Sequence, residues 1–120
     1  MDSKIVDLTY KLLVGIAKSG DLISYGELYS QIDVDPRDPR QRHYASEILE
    51  SVNNISMKEH SVMITAVAID KEKNISGGGF FTLAIEFDKL SSDSDELERL
   101  SFWSNEVKKV HELYKENDEV

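Results

Sequence analysis

Arg37, Arg40, Arg42 and His43 place four groups able to bind phosphate or base edges within residues 37–43. A guanidinium is a rigid fork of donors that matches phosphate oxygens and the edge of guanine. A helix-turn-helix presents such groups at the start of its recognition helix, where the positive end of the helix dipole assists. Asp33, Asp35 and Asp38 are interleaved with the arginines, so the stretch also reads as a solvated turn whose charges pair internally. Lys71 and Lys73 in "DKEKN" can follow a nucleic-acid backbone, although Asp70 and Glu72 dilute them. Phe102 and Trp103 are neighbours, and neighbours on a helix face different ways. One of the two is expected in the core. The other is expected to be at least partly exposed, either packing at the edge of the core or docking a protein partner or a second copy.

Other chemistries are excluded or poorly matched. The chain has no cysteine, which removes disulfides, thiolate metal sites and thiol nucleophiles. Gly77-Gly78-Gly79 is not followed by Gly-Lys-Ser/Thr and is no phosphate loop. Asp33-Val34-Asp35 begins like a calcium loop, but Arg37 takes the fifth position and no glycine follows; Asp93 and Asp95 fail likewise. His43, His60 and His111 have no zinc spacing. Glu106-Val107-Lys108, with Asp70, formally resembles a nuclease triplet but lies in a helical pattern. No serine occupies a nucleophile elbow. No catalytic residue, metal or cofactor is expected.

The net charge of −9 is uneven: residues 86–120 carry eleven Asp/Glu against five Lys/Arg, residues 1–85 twelve against nine. A general phosphate-binding surface needs the opposite sign. Any nucleic-acid contact is therefore local, or the partner is a protein. The N-terminal "MDSKIVDLTYKLL" lacks a signal-peptide pattern, and no apolar run is long enough for a bilayer. With no cysteine, the reading is a cytoplasmic protein with no membrane partner.

Helical and turn signals position these residues. Ile5, Leu8, Leu12, Leu13 and Ile16 form one apolar stripe, and Gly20 follows its end. Ser24-Tyr25-Gly26-Glu27 is a capping box that opens a short helix ending near Ile32. Pro36 and Pro39 make a turn, and a third helix is predicted from about Pro39 to Asn53 on Tyr44, Ala45, Ile48, Leu49 and Val52. Val62 to Ile69 is short and rich in β-branched residues, which predicts a strand. "DKEKN" reads as its hairpin tip and the three glycines as the exit. "FFTLAIEFDKL" fits both a helix and an alternating strand, with helix preferred. "SSDSD" precedes a final helix from about Asp95 to Lys115, held on the core by Leu97, Leu100, Trp103, Val107, Val110 and Tyr114. The predicted fold class is α+β, a winged helix of three helices, a β-hairpin wing and one or two C-terminal helices. It forms one domain over 1–120: a winged-helix core at 1–79, a helical extension at 80–116 and a frayed tail at 117–120.

The run from Ile23 to Gly79 resembles the C-terminal winged-helix domain of methylated-DNA–cysteine methyltransferases and alkyltransferase-like proteins. Ile23-Ser24-Tyr25-Gly26-Glu27-Leu28 matches the family's helix start, Arg40 to Asn53 stands for its recognition helix, and Gly77-Gly78 for its glycine pair. The resemblance implies that Tyr25 meets the target phosphate. It puts the arginine finger that replaces a flipped base at Arg42 or His43, and the reactive cysteine near Ile64. Without a cysteine, alkyl transfer is impossible; the motif's histidine and arginine are missing too. "GGGFFTLA" with "SFWSNEVKKVHELY" also looks like small bacterial and phage proteins that join a helix-turn-helix to a Phe-Trp helix. The functional expectation is a non-enzymatic module that contacts double-stranded DNA through Tyr25, Arg37, Arg40, Arg42, His43, Lys71 and Lys73. The alternative is a small acidic inhibitor or adaptor of phage or mobile-element type that binds a nucleic-acid-handling host protein, its carboxylates competing with phosphates, with Phe102 and Trp103 as candidate partner-binding residues.

Overall fold

In a computed structural model, residues 3–117 are described. Helix α1 (Ser3–Lys18) leads to strand β1 (Ile23–Ser24), helix α2 (Tyr25–Gln31) and the long helix α3 (Pro39–His60). A 3-10 turn (Ile64–Val67), strand β2 (Ala68–Ile69), helix α4 (Gly78–Glu86) and helix α5 (Glu96–Asn117) complete the order. Residues 118–120, most of the tail expected to fray, lie outside the described residues.

The winged-helix prediction is wrong. The two strands are two residues each and run parallel, Ile23 opposite Ala68 and Ser24 opposite Ile69. No β-hairpin wing exists among the described residues: "DKEKN" is a tight loop closed by a single antiparallel bridge between Asp70 and Ile75. The physical reason lies in Val62 to Ala68, which is buried at every position. A hairpin strand with one solvated face needs alternation, whereas a continuous apolar run also suits a tight turn enclosed on all sides. Here it is threaded through the core. Asn53 of α3 holds it there, its Nδ2 donating to Thr65 Oγ1 at 2.7 Å and its Oδ1 accepting from the Thr65 amide at 3.2 Å.

Beyond the loop the chain does not return as a strand. Ser76 is buried and donates to the Ala68 carbonyl at 2.7 Å, and α4 begins directly after Gly77. Phe80, Phe81 and Ala84 are its buried face, a helical spacing that resolves the ambiguity of "FFTLAIEFDKL". Helix α3 runs seven residues past the expected end at Asn53, because Asn53 and Ser56 are core-facing polar residues with internal partners. Ser61 closes it in the left-handed region at φ 59°.

Two clusters form the core. The larger joins α1, α2, α3 and the 3-10 turn around Leu13, Leu28, Ile48, Val52 and Val67, with Val110 and Tyr114 of α5. The smaller holds Met63, Ala66, Phe80, Phe81 and Ala84, with Phe102, Trp103 and Val107 of α5 against it. The α5 stripe reaches the core only from Phe102 onward: Leu97 is 71% exposed and Leu100 48%. Among the described residues no helix is long and apolar enough to cross a membrane.

Candidate nucleic-acid interface and the cleft beside it

The arginine cluster sits where the sequence places it, around the first turn of α3, and two of the three aspartates among it, Asp35 and Asp38, have partners there. Asp38 caps the helix by accepting from the Arg40 amide at 2.9 Å. Arg37 grips Asp35 through two bonds, Nε to Oδ1 at 3.0 Å and Nη2 to Oδ2 at 3.2 Å. This pairing holds the Asp35 carboxyl below the usual carboxylate range. Arg42 Nη1 donates to the Pro36 carbonyl at 3.1 Å, and His43 Nε2 lies 3.5 Å from Glu47 Oε1, one turn on. Arg40 is exposed, and its guanidinium has no partner among the described residues. Lys71 and Lys73 are exposed on the 70–75 loop, whose shape comes from the Asp70 carboxylate accepting the Glu72 and Lys73 amides.

Tyr25 has a different situation. Its hydroxyl accepts the Gly77 amide proton at 2.7 Å, and its ring stacks on Tyr29 at 5.9 Å between centroids. A Cβ on Gly77 would stand 3.4 Å from the Tyr25 oxygen, an ordinary van der Waals contact. Burial pushes the Tyr25 hydroxyl pKa up, partly offset by the Gly77 bond, and burial pushes Tyr29 to about 12. Tyr25 thus pins the start of α2 to the start of α4.

Tyr25 and Tyr29 form one end of a cleft of about 410 Å³ between α3 and α4, within the size range of small-molecule sites. Leu49, Glu50 and the buried Asn53 line it from α3; Phe80, Leu83 and Glu86 line it from α4. Sequence reasoning missed Tyr29, Asn53, Thr65, Glu50 and Glu86. The i, i+4 spacing of the two tyrosines was the available signal; nothing in the sequence links Asn53 to Thr65.

Phe102 and Trp103 are both half-buried on the smaller cluster. Trp103 Nε1–H donates to the Ala66 carbonyl at 2.9 Å and to Ser76 Oγ at 3.1 Å, and Phe102 lies 5.9 Å from the Phe80 ring. Glu106, the acid of the nuclease-like triplet, is 1% exposed. Its Oε2 accepts the Met63 amide at 2.9 Å and Lys89 Nζ at 2.8 Å. That carboxylate is a structural group. Among the described residues no set of three His, Asp or Glu side chains is placed to hold a metal ion. Comparisons of the chain with family models, curated proteins and solved structures find no match.

Proposed function

We propose that the chain is a non-catalytic binding module that contacts double-stranded DNA through the start of α3. The carrying observation is Arg40, an exposed guanidinium with no partner among the described residues, in the first turn of a 22-residue helix. Arg42 is also exposed, and His43 lies one turn beyond Arg40. The likeness of Ile23 to Leu28 to the helix start of the alkyltransferase-like proteins supports the same reading. The absence of cysteine suits a cytoplasmic setting. With Arg37 neutralised by Asp35, about two phosphates are engaged, so log K against log salt should have a slope of about −2. Fluorescence-anisotropy titration of mixed-sequence duplex at low and moderate salt tests this. Binding should be salt-dependent and weakened by Arg40→Ala/Arg42→Ala; no binding at low salt rejects the DNA reading.

A second reading rests on its own observation. Leu97 and Leu100, 71% and 48% exposed, lie one turn apart at the start of α5, beside Glu96 and Glu98. An apolar pair in an acidic frame suits a partner protein with a greasy patch and a basic rim, as expected of an acidic inhibitor or adaptor. The framing acids argue against a second copy of the chain as that partner. Loss of partner capture in Leu97→Ser/Leu100→Ser, with folding unchanged, is the expected result.

A further inference from the structure

The α3–α4 cleft has a chemistry that contact with DNA does not use. Glu50 and Glu86 are its charged residues, both exposed, and neither has an ion pair among the described residues. No lysine, arginine or histidine lines it. Its aromatic surface comes from the stacked Tyr25 and Tyr29 and from Phe80. Deeper in, Thr65 is 3% exposed and lines the cleft. Its hydroxyl oxygen accepts from Asn53, while its own proton has no acceptor among the described residues. Tyr29 likewise has no hydrogen bond for its hydroxyl among them.

Two carboxylates, one from α3 and one from α4, with three aromatic rings and no cation among the lining residues, form an environment that stabilises positive charge. Aromatic faces attract ammonium and guanidinium groups through the ring quadrupole, most strongly where water is thinned out. Carboxylates at a mouth add attraction that salt weakens. An anionic ligand meets the reverse of each term. The free Thr65 proton offers one hydrogen bond to an acceptor at the inner end.

We infer that this cleft binds a small organic cation with a flat apolar body, an arylalkylammonium or its quaternary analogue, with the cationic end between Glu50 and Glu86. This site is independent of the DNA contact, since it uses none of Arg37, Arg40, Arg42 or His43.

The test is a titration of the full chain with benzyltrimethylammonium, followed by 1H–15N NMR. Saturable shifts are expected at the amides of Thr65, Gly77, Gly79 and Glu86. 2-Phenylethanol should bind more weakly and 3-phenylpropanoate weakest. Glu50→Gln/Glu86→Gln should weaken the cation by about 10-fold and leave the neutral compound unchanged. Both glutamates are exposed, so the variant should keep the wild-type fold; the ligand series on wild type is a second, mutation-free measurement. The inference is overturned if the cation gives no saturable shift, if the three ligands bind equally, if the double variant binds the cation as well as wild type, or if the shifts map to α5.

Discussion

Stacked tyrosines one helical turn apart, both partly buried, make the molecule sensitive to alkali. Burial raises Tyr29 to about 12 and moves Tyr25 and Tyr114 up as well, Tyr114 also through its bond with Tyr10. In the unfolded chain a tyrosine ionises near pH 10, so between about pH 10 and 12 the unfolded state has lost protons that the folded state keeps. The stabilisation is complete below pH 10 and is lost as pH rises through the folded value. Urea midpoints should therefore fall across that interval, and Tyr29→Phe should flatten the fall; an equally steep fall in the variant refutes the assignment. Single residues were the least legible scale. The capping serine was readable because its acceptor role is local, the Glu27 amide reaching Ser24 Oγ at 3.2 Å. Tyr25 was not, since its hydroxyl serves an amide 52 residues away.

Among the described residues, a largely buried ion pair joins three elements. Lys89 follows α4, and its ammonium bridges Glu106 of α5 and the Ser61 carbonyl at the end of α3, each at 2.8 Å. The Lys89 side chain is 16% exposed; Lys109, 3.6 Å from the other Glu106 oxygen, is 61% exposed. Removing one partner of a buried pair leaves an uncompensated charge. Lys89→Met should cost about 3 kcal/mol in urea unfolding and Lys109→Met less than about 1 kcal/mol, the exposed-pair range. Equal costs would show that Glu106 does not depend on Lys89. The helices were legible because a 3.6-residue period repeats over many turns, as in α1 and α5. Two-residue strands are too short to show any period, and an apolar run buried on all sides looks the same as a strand or a turn. That is why "VMITAVAI" was misread and the fold class with it.

On the scale of the whole molecule, α5 ties the two clusters together. Phe102, Trp103 and Val107 rest on the smaller, and Val110 and Tyr114 enter the larger, where Tyr114 bonds Tyr10 of α1 at 2.8 Å. The arginine face was legible because charge is visible in sequence; its internal pairing with Asp35 was readable as one of two outcomes. The cleft was not legible, since its walls come from three separate helices, α2, α3 and α4, that meet only after folding. Cooperative unfolding of both clusters is expected from the shared helix. Leu13→Ala, a fully buried site in the larger cluster, should cost about 3 kcal/mol and lower the stability of the smaller cluster equally. Trp103 is the chain's single tryptophan, fastened between Ala66 and Ser76. It therefore serves as a native optical gauge for the smaller cluster, with no label added. Its emission, followed beside far-UV circular dichroism of the whole, should trace one superimposable melting curve; two separated curves would mean that α5 frays from one cluster before the other.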